Sequence, residues 1–151
     1  MFSLFKKKPF FSEEENQKVV QSIRSAEKST SGEVRVFIES KCRFIEPLDR
    51  AVEIFRELNM QKTNDHNAVL LYVAIKDRQL AIYADEGIHQ KVGTQFWEEK
   101  VNGILLHFDK KNYANGIAHC ITEIGEALKE NFPYNKEVDK NELPDEIIFG
   151  K

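Results

Sequence analysis

The amino-acid sequence predicts an α/β protein: a three-layer α/β/α sandwich around a small mixed β-sheet, Rossmann-like in appearance but without a dinucleotide-binding motif. Residues 68–75 form an uninterrupted apolar run, which is typical of a strand buried on both faces. Amphipathic helical patterns precede and follow this run, so we expect helices on both faces of the sheet. With 151 residues, of which 41% are hydrophobic, the chain is large enough for one such domain.

The first half of the chain alternates helices and strands. Ser12 and Glu15 have the spacing of a capping box, which predicts the start of the first helix. A strand is predicted at 33–39, and Pro47 is placed to open a second helix. Because that helix lies between them, the strands at 33–39 and 68–75 should be parallel and joined by a right-handed crossover.

The second half begins with a hairpin and continues as helices. Residues 76–78 are polar and turn the chain, and the alternating segment 79–84 should return antiparallel to the preceding strand. Gly87 is expected to permit a sharp exit from the hairpin. From Ile88 the pattern is helical, and the polar residues 109–112 separate two long helices.

These patterns divide the chain into three parts. We expect a flexible N-terminal segment over residues 1–11 and the α/β domain over residues 12–133. Residues 134–151 are predicted to be an extended tail packed on the domain, because Pro144 and the short apolar run 147–149 do not fit a helix.

Charge and hydropathy exclude several classes of protein. The net charge of −3 and pI near 5.9 argue against a nucleic-acid partner, which needs a basic surface. No apolar run approaches the length of a transmembrane segment, and the start does not have the order of a signal peptide. We therefore expect a cytoplasmic protein. Cys42 and Cys120 show no redox or zinc spacing.

Acidic and amide side chains are concentrated at both outer ends of the predicted hairpin. Asp65 and Asn67 precede its first strand, and Asp85 and Glu86 follow its second. Because a hairpin returns to its own starting edge, these side chains should lie close together. Carboxylate and amide oxygens are ligands of hard cations. We therefore predict a Ca²⁺ or Mg²⁺ site at this edge of the sheet, with Glu33 as an additional candidate ligand.

Other interpretations of the same residues remain open. Aspartate and asparagine are common in loops because they hydrogen-bond nearby backbone groups and stabilise turns. His66 and His89 lie beside the predicted site in sequence. They could bind a softer metal such as zinc, or simply face solvent.

The usual catalytic motifs are absent from the sequence. It contains no GxxxxGK[ST], GxGxxG, HExxH or GxSxG pattern, and neither cysteine is followed six residues later by arginine. Nor does a lysine or arginine stand at a defined spacing from the acidic residues to clamp a phosphate. The residues alone therefore leave open whether the protein is an enzyme, and they identify no catalytic residue.

Several segments, taken in order, resemble the TPM domain family. These segments are TSGEVRV at 30–36, DHNAVLLYVA at 65–74, ADEGI at 84–88 and FW at 96–97. The later segments KNYANGI, FPY and NELPDEIIFG resemble its short, stand-alone subgroup. The ordered set carries the resemblance, since no single motif is specific.

The resemblance implies an α/β/α sandwich with a divalent-cation site, in which Asp65, Asn67 and Asp85 match the family's polar positions. Ala68 stands where the family often has glycine, and the second acid that many longer members carry after the glycine loop is missing here. Longer members also have a signal peptide and a membrane anchor, which we do not expect here.

The resemblance supports two functions. The family includes thylakoid-lumen proteins to which acid phosphatase activity is ascribed, so one expectation is a weak metal-dependent phosphatase. Asp65 and Asp85 would then be ligands, with one of them as nucleophile or base. The alternative is a non-catalytic module that binds Ca²⁺ or Mg²⁺ and a protein partner.

Overall fold

The computed structural model describes residues 10–42, 44–109, 112–134 and 147–150. Its elements in chain order are α1 (Glu13–Glu27), β1 (Glu33–Glu39), α2 (Pro47–Glu57), β2 (Ala68–Ala74), β3 (Gln79–Ala84), α3 (Glu86–Val92), α4 (Thr94–Asp109), α5 (Tyr113–Asn131) and β4 (Ile147–Phe149). A short 3₁₀ helix, Met60–Lys62, connects α2 to the loop before β2. This arrangement confirms the predicted α/β class.

The four strands form one mixed sheet in the order β3-β2-β1-β4. β1 and β2 are parallel, with Glu33 opposite Ala68, as the crossover predicted. β2 and β3 are antiparallel, with Val69 opposite Ala84. Every residue of β2 is buried, which confirms the interpretation of the apolar run.

Helices cover the two faces of the sheet unequally. α1, α4 and α5 pack on the face that carries Val36, Leu71 and Ile82. The other face carries Leu70 and Tyr72 and is covered by α2. The result is the predicted α/β/α sandwich, in which the thicker helical layer holds the larger core.

The first helix begins as its sequence predicts. The Ser12 hydroxyl accepts a hydrogen bond from the Glu15 amide at 3.1 Å, and the Glu15 carboxylate accepts one from the Ser12 amide at 2.9 Å. Both groups therefore satisfy N–H donors that a helix start would otherwise leave unpaired. Val19 and Ile23 then face the core.

The exit from the hairpin differs from the prediction. Helix α3 already begins at Glu86, so Gly87 is its second residue and does not turn the chain. The turn comes at Gly93, whose φ of 81° is a conformation that favours glycine. Gly93 therefore divides the region beginning at Ile88, predicted as one helix, into α3 and α4.

The C-terminal apolar run forms a fourth strand. Residues Ile147–Phe149 pair in parallel with β1, where Val36 lies opposite Ile147. This strand extends the sheet on the side away from β3. The predicted N-terminal segment, except Phe10 and Phe11, and tail residues 135–146 lie outside the described residues. Within the described ranges, no helix is both long and apolar enough to cross a membrane.

Candidate functional site

Three chain segments meet at the edge of the sheet where β1 and β2 begin and β3 ends. The Glu33 amide donates a hydrogen bond to the Asn67 carbonyl oxygen at 3.4 Å. The Asp85 amide donates one to the Ala68 carbonyl oxygen at 2.9 Å. The backbone therefore brings residues 31–33, 65–67 and 85–87 together, as the connectivity predicted.

Asn67 is the most buried polar residue at this edge, with 1% of its surface exposed. Its amide nitrogen Nδ2 donates to Ser31 Oγ at 3.1 Å, and its backbone N–H donates to Thr63 Oγ1 at 3.3 Å. The amide oxygen Oδ1 is buried and accepts no hydrogen bond from the described residues. Ser31 thus fixes the side chain of Asn67 and Thr63 fixes its backbone, and neither hydroxyl bonds Oδ1.

The two carboxylate oxygens of Asp85 have different hydrogen-bond environments. Oδ1 accepts the Glu86 backbone N–H at 2.8 Å and so caps α3. Oδ2 is buried and has no hydrogen bond within the described part of the chain. The His66 ring nitrogen Nδ1 lies 3.4 Å from Oδ2 without forming one. Asp85 therefore contributes a second buried acceptor oxygen to this edge.

Asp65 is exposed and reaches the same edge from the loop before β2. Its Oδ2 lies 3.4 Å from Ser31 Oγ, the hydroxyl that also holds Asn67. Its backbone packs tightly on α3, because a methyl group built on Gly87 would lie 2.1 Å from the Asp65 carbonyl oxygen. Glycine at position 87 therefore allows the loop and the helix to approach.

The structure places Glu86 differently from the other three predicted residues. Its side chain is exposed and accepts a hydrogen bond from Gln90 Nε2 at 2.8 Å, one helical turn later. Glu33, the additional candidate, is buried at the start of β1. His89 accepts a hydrogen bond at Nδ1 from Trp97 Nε1 at 3.1 Å, which ties this histidine to α4.

The polar atoms at this edge fit a hard cation better than a soft one. In the described ranges, no three His, Cys, Asp or Glu side chains are grouped so that they could hold a metal ion. The available donors are oxygens: the carboxylates of Asp65 and Asp85 and the amide oxygen of Asn67. Ca²⁺ and Mg²⁺ accept such mixed sets and complete them with carbonyl oxygens or water.

A second polar cluster lies at the opposite end of β1. Arg50 donates from Nε and Nη2 to the two oxygens of the Glu39 carboxylate, at 3.0 and 3.2 Å. The Tyr72 hydroxyl donates to the same carboxylate. Burial and the hydrogen bond to Glu39 raise the pKa of Tyr72, and the bond to Glu39 raises that of Arg50. The charges of Arg50 and Glu39 are therefore paired with each other.

The sequence did not single out the residues that orient Asn67. Ser31 lies in the breaker-rich stretch before β1, and Thr63 lies in the polar loop before β2. Their composition signals turns, in which serine and threonine often hydrogen-bond the backbone. It contains no signal that both hydroxyls would converge on one asparagine.

The fold and the oxygen-rich edge define a class: an α/β/α domain whose loops gather carboxylate and amide oxygens at one edge of a mixed sheet. The family model for the TPM domain matches residues 5–127. The chain therefore belongs to the TPM domain family.

Solved structures share this fold. The BA42 protein of the psychrophilic bacterium Bizionia argentinensis has 41% sequence identity and a TM-score of 0.86, over 96% of this chain and 99% of that one. The N-terminal domain of a protein from P. gingivalis has 17% identity and a TM-score of 0.68, over 81% and 78% of the two chains. The N-terminal domain of cg2496 from Corynebacterium glutamicum has 12% identity and a TM-score of 0.62, over 82% and 86%. The search of curated proteins gave no match.

Proposed function

We propose that this protein binds Ca²⁺ or Mg²⁺ through Asp65, Asn67 and Asp85. One observation carries the proposal: Asn67 Oδ1 and Asp85 Oδ2 are buried acceptor oxygens that receive no hydrogen bond from the described residues. They come from two different segments that the backbone joins at one edge. A divalent cation would satisfy both oxygens, and the exposed Asp65 carboxylate would add a second negative charge.

The free-energy argument favours a bound partner at this edge. A buried acceptor without a donor costs about 1–3 kcal/mol, and a charged one costs more. At the other end of β1, Glu39 avoids this cost through Arg50 and Tyr72. Asp85 Oδ2 has only the His66 ring near it among the described residues, without a hydrogen bond, and a cation would supply the missing compensation. Glu86 would join the ligands only by giving up its hydrogen bond to Gln90.

Calorimetric titration with CaCl₂ and with MgCl₂ tests the proposal. Asp85→Asn keeps a cap for α3 but removes a charge, so we expect it to weaken affinity by about tenfold or more, or about 1.4 kcal/mol. Asp65→Asn should act in the same direction. Asp77→Asn, in the turn at the far end of the hairpin, is the matched control and should leave the affinity unchanged. Unchanged affinity in both site variants would place any cation elsewhere.

Phosphomonoester hydrolysis is a second candidate because the matching family model is called TPM_phosphatase. A bound divalent cation supplies Lewis acidity toward a phosphate oxygen. In the described part of the chain, the side chains that hydrogen-bond or approach the polar atoms of Asp65, Asn67 and Asp85 are those of Ser31 and His66, and no lysine or arginine is among them. This pattern favours cation binding over phosphate binding.

Turnover of p-nitrophenyl phosphate separates the two functions. A phosphatase that uses this edge must lose turnover both in chelator and in Asp65→Asn. Turnover that survives either change would come from another site or another protein. Cation binding without any turnover would leave the non-catalytic module as the function.

A further inference from the structure

The outer edge of β3 is unpaired in the described structure. β3 is the terminal strand on its side of the sheet. In an antiparallel pair, the backbone N–H and C=O groups of successive residues point alternately toward the partner strand and away from it. The Asp85 amide bonds Ala68, so residues 79, 81 and 83 also point their backbone groups toward β2. The backbone groups of Leu80, Ile82 and Ala84 therefore point away from the sheet. No backbone hydrogen bond joins these groups to another described residue.

A cleft of about 940 Å³ runs along this unpaired edge. The beginning of α2 forms one wall and α4 forms the other, with β3 between them. Leu48, Trp97 and Val101 contribute apolar surface to the walls. Leu48 is half exposed although it belongs to a helix that packs on the sheet. The cleft therefore offers an apolar lining beside free backbone donors and acceptors.

The charged side chains around the cleft are acidic. Its carboxylates are those of Glu46, Asp85, Glu86 and Glu98. The described residues that line it include no lysine or arginine, and its histidine, His89, is hydrogen-bonded to Trp97. An occupant of this cleft gains from positive charge as well as from apolar side chains.

We propose that β3 binds an extended peptide segment of a partner protein, in which basic residues accompany alternating apolar ones. The peptide would add a strand to the sheet, with hydrogen bonds to the backbone of Leu80, Ile82 and Ala84. Its apolar side chains would occupy the cleft, and its basic side chains would meet Glu46 and Glu98. The proposal is independent of cation binding, although Asp85 and Glu86 stand at one end of the cleft.

The same charges disfavour a second copy of this chain as the occupant. Pairing two β3 edges would bring the Glu46 and Glu98 carboxylates of two copies together, and the described residues that line the cleft include no lysine or arginine to separate them. Repulsion between like charges that face each other opposes such a dimer. A basic peptide experiences attraction at the same positions.

The probe is the synthetic peptide acetyl-Lys-Val-Thr-Val-Thr-Val-Thr-Lys-amide, whose two lysines lie on opposite faces of an extended strand, as Glu46 and Glu98 lie on opposite walls of the cleft. The readout is amide hydrogen exchange measured by NMR. The proposal expects saturable binding that slows exchange at Leu80, Ile82 and Ala84 by about tenfold or more. The amides of Ala81 and Tyr83 serve as internal controls, because β2 already protects them. Binding without new protection at the three outward amides would overturn strand addition.

Charge variants test why the peptide should be basic. Glu46→Lys combined with Glu98→Lys should weaken binding by about tenfold or more. Glu57→Lys combined with Glu99→Lys makes the same charge change on the same two helices outside the cleft, and should weaken it far less. Equal losses of affinity in the two double variants would show that only the net charge of the protein matters, and this result would overturn the proposal.

Two further outcomes would also overturn it. One is equal binding of the probe and of a peptide with glutamate in place of both lysines, or no binding of the probe up to millimolar concentration. The other is protection of Leu80, Ile82 and Ala84 in the free protein that disappears on dilution. That result would identify a second copy of the chain as the occupant.

Discussion

The two ends of β1 hold polar clusters of opposite character. At its C-terminal end, Glu39 is a buried carboxylate whose two oxygens receive hydrogen bonds from Arg50 and Tyr72. At its N-terminal end, Asn67 Oδ1 and Asp85 Oδ2 are also buried but receive no hydrogen bond from the described residues. Glu39 lies about 20 Å from Glu33 along the strand, so the clusters are independent.

The difference separates a structural network from the proposed cation site. Buried polar groups normally have partners because an unpaired one lowers the stability of the fold. A cluster that contains its own donors, such as the one around Glu39, needs no ligand. Two buried acceptors without a hydrogen bond from the described residues fit the proposed cation, which would enter from solvent and compensate their cost.

Replacing Arg50 should have the largest effect on stability. Arg50→Met leaves the Glu39 carboxylate buried with Tyr72 as its one remaining donor among the described residues, so we expect the free energy of unfolding to fall by about 3 kcal/mol. Glu53→Gln is the control, because it removes only the exposed partner of the same arginine and should cost less than about 1 kcal/mol. Urea unfolding measures both. A similar small loss in both variants would show that the Glu39 cluster does not stabilise the fold.

Gly87→Ala should have the second-largest effect on stability, and it should also weaken Ca²⁺ binding. The added methyl group would lie 2.1 Å from the Asp65 carbonyl oxygen, so the loop before β2 must move away from α3. We expect a loss of about 2 kcal/mol in unfolding free energy together with weaker Ca²⁺ binding. Gly103→Ala is the matched control: its methyl group would meet no atom within 4 Å, and helix propensity should make it neutral or stabilising. Full Ca²⁺ affinity in Gly87→Ala would separate this loop from the site.

Tyr72→Phe should change how stability depends on alkaline pH. The folded protein raises the pKa of Tyr72, so above pH about 10 the unfolded chain loses this proton while the folded chain keeps it. The Tyr72 contribution to stability is therefore complete below pH 10 and falls by about 1.4 kcal/mol per pH unit above it. Burial raises the pKa of Cys120 to about 12, and this loss is common to both proteins. Parallel stability profiles for the wild type and Tyr72→Phe would contradict the assignment.

Asp85→Asn should have the smallest effect on the protein without cation. Asparagine can still cap α3, and it removes a charge that has no hydrogen bond at Oδ2. We expect the melting temperature in chelator to stay the same or rise, by the equivalent of less than about 1 kcal/mol. Excess Ca²⁺ should raise the melting temperature of the wild type by clearly more than that of this variant, because the weaker site gains less from the same cation concentration. A large loss of stability in chelator would mean that Asp85 is structural.

The sequence was sufficient to predict the fold for reasons that particular residues make clear. The run at 68–75 could bury its apolar side chains only as a strand of a sheet that is covered on both faces, and β2 is fully buried. The short segment 147–149 carried an extended pattern but no information about pairing, so its place beside β1 emerged only from tertiary contacts. Gly93 was overlooked because helical periodicity continues on both sides of it.

The composition of the candidate site was easier to predict than its geometry. The hairpin connectivity correctly brought residues 65–67 and 85–87 to one edge. The direction of a side chain depends on local hydrogen bonds that a linear pattern does not encode. Glu86 follows the helix toward Gln90, and Asn67 is held by two hydroxyls from separate loops.

A residue-resolved NMR titration with Ca²⁺ compares the two clusters in one experiment. The central claim is that the edge containing Asp65, Asn67 and Asp85 binds a cation and that the paired cluster around Glu39 does not. We expect saturable amide shift changes within residues 31–33, 64–67 and 84–87, and none at Glu39 or Tyr72. Shifts that are absent, that never saturate, or that are equally large around Glu39 would contradict it.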